Sequence, residues 1–112
     1  MTTITDDYMK EILSKSRPYT VIILRKGPNY VAEGARQVVW EHGRRNFELR
    51  ASGKLAIVAP VTDDSDIAGI GFFTGSIDET RQLMEDDPGV KAGWFTFEVH
   101  PVRSFPGDSL PG

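Results

Sequence analysis

LAIVAPVTDDSDIAGIGFFT, residues 55–74, decides the fold. Two apolar runs, residues 55–61 and 67–74, enclose the polar cluster Thr62-Asp-Asp-Ser-Asp66, which has the composition of a turn. A connection this short joins antiparallel neighbours and leaves no room for a helical crossover. Side chains alternate along a strand, so Gly69 and Gly71 fall on one face of the second run.

Outward from the hairpin, the chain carries a strand and a helix on one side and a helix and a strand on the other. Upstream, residues 19–24 are a β-branched run, Lys26-Gly-Pro-Asn29 is a turn, and a long helical period runs over 31–53 to a glycine stop at Gly53. Downstream, Ser76-Ile-Asp-Glu79 is a capping box, and the helix that follows contains Leu83 and Met84. The pattern ends that helix at Asp86-Asp87-Pro88-Gly89, before an aromatic strand over 94–100. Ile4, Tyr8, Met9, Ile12 and Leu13 add an N-terminal helix, with Thr5 or Asp6 as its cap, closed by Arg17-Pro18. From Pro101 onward, prolines and glycines predict an extended or mobile tail.

The order is helix, then β-α-β-β-α-β. It predicts an α+β, ferredoxin-like split arrangement with strand order 4-1-3-2 and two helices on one face. A single domain spans 1–112: an N-terminal helix extension over 1–17, a core over 19–103, and a tail over 104–112. The first strand is apolar on both faces, with Thr20, Ile22 and Leu24 opposed to Tyr19, Val21 and Ile23. Two helices cover only one face, so the other calls for the N-terminal helix or a second subunit. The expectation is a homodimer with sheets face to face, a dimeric α/β barrel.

Composition limits the function. The 112 residues are 39% hydrophobic and 26% charged, the balance of a globular protein. A net charge of −3 gives no footprint for nucleic acid, and no basic block suggests a membrane surface. Arg44-Arg45, the densest basic spot, reads as a solvated helix face. Without cysteine there are no disulfides, thiolate nucleophiles or cysteine zinc sites, and two distant histidines do not make a metal cluster. Neither a signal-like N-terminal stretch nor a membrane-spanning run is present, which predicts a cytoplasmic protein. No phosphate-binding loop or cofactor motif is found, so no cofactor or metal is expected.

His42 and Asn46 share the helical stripe of Ala35, Val38, Val39 and Leu49. An unpartnered polar group there costs roughly 1–3 kcal/mol, so both need partners. Two readings stand side by side: a hydrogen-bonded core histidine, or an acid–base group facing a small-molecule pocket. Asp87, just past the second helix, comes beside His42 if the two helices run antiparallel. Its alternative reading is turn chemistry before a proline. Asn46 would hydrogen-bond a ligand or merely satisfy the histidine, and Lys26 and Tyr30 are pocket-rim candidates. His100 reads as exposed, and Trp40 and Trp94 as core or interface residues. No serine or threonine sits in a nucleophile motif.

Counted from His42, Leu49 follows at seven, Gly53 at eleven, Leu55 at thirteen and Pro60 at eighteen, and Asp87-Pro88-Gly-Val90-Lys-Ala92-Gly93 leads into the last strand. Over residues 19–103 this pattern resembles the YCII-related family of small α+β proteins. The chain departs from it in Asn46, where members usually carry an aliphatic residue, in Ala59, where they carry glycine, and in an acidic loop after the second strand. The resemblance implies a domain that dimerises through its sheet and a His42–Asp87 pair for acid–base catalysis. A dehydrochlorinase of aromatic degradation and muconolactone-isomerase-like proteins of the wider fold are the enzymatic precedents, which points to a lyase or isomerase without a cofactor. The alternative is a non-catalytic ligand-binding or interaction module whose proline-rich tail clamps a partner subunit.

Overall fold

A computed structural model describes residues 2–30 and 35–112. The element order is α1 (Asp6–Ser14), β1 (Arg17–Lys26), α2 (Ala35–Ala51), β2 (Leu55–Pro60), β3 (Ile67–Phe73), α3 (Ile77–Glu85), α4 (Pro88–Lys91) and β4 (Phe95–Ser104). The β2–β3 turn is built from its own polar side chains. Asp63 Oδ1 accepts from the Ser65 amide at 3.0 Å, and Ser65 Oγ accepts from Ile67 at 3.4 Å.

All pairings are antiparallel, in the order β2-β3-β1-β4, which read from the other edge is 4-1-3-2. Register sets the core. Ile22 lies opposite Gly71 and Val99, and Leu24 opposite Gly69 and Phe97. These positions share the face on which Leu49 of α2 and Met84 of α3 complete a buried cluster with Leu55, Phe73, Trp94 and Phe95. At the end of α2, Gly53 adopts φ +79°, and Lys54 donates back to the Leu49 carbonyl at 3.0 Å. Only glycine takes that backbone turn without strain.

The opposite sheet face carries Val21 beside Phe72 and Ile23 beside Ile70. It also carries an exposed ion-pair strip, with Arg25 Nε 2.6 Å from Glu98 and Arg25 Nη1 3.2 Å from Asp66. The hydrogen bond from Arg25 holds the Glu98 carboxyl below its ordinary range, and the same bond raises the Arg25 guanidinium.

Three expectations need correction. The sheet does not close into a barrel: β2 and β4 remain edges, and four strands are about half of what a filled barrel needs. The described residues form four helices, because Pro88 opens α4 instead of only ending α3. Proline suits the first turn of a helix, where its missing N–H is not needed. The tail is also shorter than its composition predicts. Residues 101–104 extend β4 against residues 17–20, and Pro101 is tolerated because β4 is an edge strand. The start of the long helix expected over residues 31–34 lies outside the described residues. No described helix is long and apolar enough to cross a membrane.

Candidate functional site

α2 turns His42, Arg45, Asn46 and Leu49 toward the sheet and the α3–α4 corner. Three- and four-residue spacing places them on one side of the helix. His42 is 9% exposed and its ring packs on Phe95, with centroids 4.7 Å apart. Across the corner stands Asp87, fully buried at 0% exposure.

Asp87 is the N-cap of α4. Its Oδ2 accepts from the amides of Gly89 at 2.9 Å and Val90 at 3.2 Å. His42 Nδ1 lies 2.8 Å from both carboxylate oxygens. Arg45 Nη1 approaches Oδ1 at 3.7 Å, an ion pair without a hydrogen bond, and that nitrogen is buried with no hydrogen-bond partner among the described residues. Gly89 is forced by closeness: a Cβ there would lie 2.5 Å from the Phe95 ring and 3.0 Å from Asp87 Oδ2. The Asp-Pro-Gly run therefore packs carboxylate, helix start and ring into one corner.

The hydrogen-bond network fixes the tautomer. A carboxylate only accepts, so Nδ1 carries the proton and Nε2 presents a lone pair. Asn46 Nδ2 lies 3.2 Å from Nε2, where the amide donates to that lone pair. The chain Asp87–His42–Asn46 thus runs acceptor to donor without conflict, and Nε2 is the ring nitrogen turned away from the carboxylate.

His42 and Asn46 open onto a cavity of about 370 Å³ between α2 and the sheet. Its floor is β3 at Gly69 and Gly71, and its only other polar side chain among the described residues is that of Tyr30. The glycines keep the floor low. A Cβ at Gly71 would meet Leu55 Cδ1 and Phe73 Cε2 at 3.2 Å each, and one at Gly69 would stand 3.4 Å from the Ala59 carbonyl. The arrangement can take a proton from, or return one to, a small molecule that is mostly apolar.

The structure brings His42, Asp87, Asn46 and Tyr30 together. Lys26 is not among the cavity-lining residues; its Nζ lies 5.3 Å from the Tyr30 ring centroid. His100 is exposed on the other sheet face, 3.7 Å from Glu98. Trp94 is core, whereas Trp40 is 66% exposed. Arg45 was missed because adjacent arginines default to solvent, yet its place three residues after His42 put it on the same side. Among the described residues, no cluster of three histidine, aspartate or glutamate side chains is arranged to hold a metal. No protein-family model matches the chain, and no curated protein is found to be similar to it.

Proposed function

We propose that this protein catalyses proton transfer on a small, largely apolar organic molecule, with His42 Nε2 as the acid–base group and Asp87 as its orienting partner. The observation that carries the proposal is the 2.8 Å bond between His42 Nδ1 and a fully buried carboxylate, at the wall of a cavity. A base held in one tautomer and one orientation abstracts a proton from a carbon made acidic by a neighbouring carbonyl or ring. Return of that proton to another carbon is an isomerisation. Departure of a leaving group with its electron pair, chloride for example, is an elimination. No cofactor enters either reaction. Membership of the YCII-related proteins belongs to the same proposal, supported by the Asp87-Pro88-Gly-Val90-Lys-Ala92-Gly93 run and the spacing from His42. A homodimer joined across the open sheet face belongs to it too, supported by the apolar row of Val21, Ile23, Ile70 and Phe72 that no described helix covers.

The test is deuterium uptake in D2O by a panel of small lactones, enones and chlorinated phenols, followed by NMR. Uptake by one of them that vanishes with His42→Gln supports the reading; uptake that survives His42→Gln overturns it. A second reading has its own support, because Asn46 already occupies the Nε2 lone pair. A non-catalytic binding module would hold a panel member, with chemical-shift changes at His42, and exchange no proton.

A further inference from the structure

The outer side of α2 is apolar as well as the inner one. Trp40 and Phe47 are 66 and 59% exposed and Val39 40%, and they line a groove of about 910 Å³ edged by Arg36 and Arg44. Trp40 and Phe47 sit half a turn around the helix from His42 and Leu49, so the core cannot take them in.

α1 has the matching deficiency. Thr5 caps it, yet the helix contributes no buried residue, and Ile4, Tyr8, Met9 and Leu13 are 46–54% exposed on one side of it. A nine-residue helix is marginal alone in water, so its apolar side needs cover. No described element of its own chain provides it. Only Lys15 and Ser16 connect α1 to β1, and Arg103 pins Ser16 with bonds of 3.0 Å to Oγ and to the carbonyl. The molecule is correspondingly long, 56 × 30 × 23 Å, with a radius of gyration of 16.4 Å. A compact chain of this length would have about 13 Å.

We infer that α1 of one copy docks in the α2 groove of a second copy, and the reverse, so that two chains exchange arms. Charge favours the lay. Asp6 and Asp7 open α1, while Arg36 and Arg44 edge the groove, Arg44 having only a 3.4 Å contact with Glu41 of its own helix. Laid parallel, the acidic turn meets the arginines and Lys15 meets Glu48. The area is sufficient. A half-exposed large side chain offers roughly 100 Å², so Ile4, Tyr8, Met9, Leu13, Val39, Trp40 and Phe47 bring each copy near the ~800 Å² of a standard interface. Val39, Gly43 and Phe47 line both this groove and the cavity beside His42. The partner's arm therefore forms the outer wall of the site. This contact is separate from the open sheet face and does not depend on the reaction.

The native chain has no cysteine, which makes engineered thiols unambiguous. A chain carrying Met9→Cys is mixed with one carrying Phe47→Cys, oxidised gently, and the disulfide-linked species are identified by mass spectrometry. The expected result is a mixed dimer at least fivefold over either like-with-like dimer. A dominant Met9→Cys pair would mean arm on arm, and a dominant Phe47→Cys pair groove on groove. No bond at all would mean cover by the chain's own arm or by another protein. Each of these overturns the inference. In the full chain, tryptophan emission should shift to the blue with rising concentration, and Met9→Asp with Leu13→Asp should abolish the shift. An unchanged shift in that variant also overturns it.

Discussion

Replacing Asp87 by asparagine tests the reasoning about the site most directly. The side chain stays the same size and still offers one oxygen to the Gly89 and Val90 amides, so α4 keeps a competent cap. The bond to His42 is what changes. The new amide presents N–H to Nδ1, which forces the imidazole proton onto Nε2, and there it meets the Asn46 N–H. Two donors face each other unless Asn46 turns over. Arg45 Nη1, already without a hydrogen bond, loses its buried ion-pair partner as well. A buried charge-assisted hydrogen bond is worth about 1.5–3 kcal/mol, and breaking a buried ion pair costs up to about 3–5 kcal/mol. Arg45 is partly exposed, which reduces its share. We expect Asp87→Asn to destabilise by roughly 2–3 kcal/mol in urea unfolding, and Asp87→Ala by about 1 kcal/mol more because the cap is lost too. Nitrogen-15 NMR of the imidazole should show the proton on Nδ1 in the native protein and displaced in Asp87→Asn. A variant within about 0.5 kcal/mol of the native chain, the ordinary range of surface changes, and with the tautomer unmoved would refute the reasoning.

Three further outcomes follow from other features. Gly69→Val puts methyl groups into the cavity floor, where a Cβ meets nothing closer than 3.4 Å; thermal unfolding should move little while binding of any panel compound is lost by NMR titration. Asn46→Leu should leave the proton on His42 Nδ1, because Asp87 and not Asn46 sets the tautomer, and nitrogen-15 shifts of the ring will read this directly. The Glu98 carboxyl is lowered from 4.5 chiefly by the hydrogen bond from Arg25, so its contribution to stability is present above that value and fades as pH falls through the lowered one. Glu98→Gln should therefore be slightly less stable than the native chain at neutral pH and converge with it in acid, the margin small because the pair is exposed.

Locally encoded features were legible in the sequence. The capping box at Ser76 and Glu79 is present, with the Glu79 amide 3.1 Å from Ser76 Oγ, because both partners lie within one turn. The polar turn at 62–66 and the inward period of His42 and Asn46 are local in the same sense. The dual position of Asp87 was only half legible: proline after it signals a helix boundary, but not that the boundary also opens α4. The extension of β4 past Pro101 depends on residues 17–20, more than eighty positions away, and no local pattern reports such a pairing. Trp40 was half legible for a different reason, since the structure excludes the core but not an interface. Large aromatics read as core or interface from composition alone, and only the structure tells that α2 is apolar on two sides.

One carboxylate both starts α4 and orients His42, and this has a consequence for how such a chain changes over generations. Drift that abandoned the chemistry could replace Asn46 or fill the hollow above Gly69 at little expense to folding. Position 87 has less freedom, since a side chain that cannot cap α4 would leave the Gly89 and Val90 amides without their acceptor. Selection for a folded chain alone is enough to retain aspartate or asparagine there. Among descendants of this protein, that cap should outlive the activity, and His42 together with Asn46 should be where a lost function first shows.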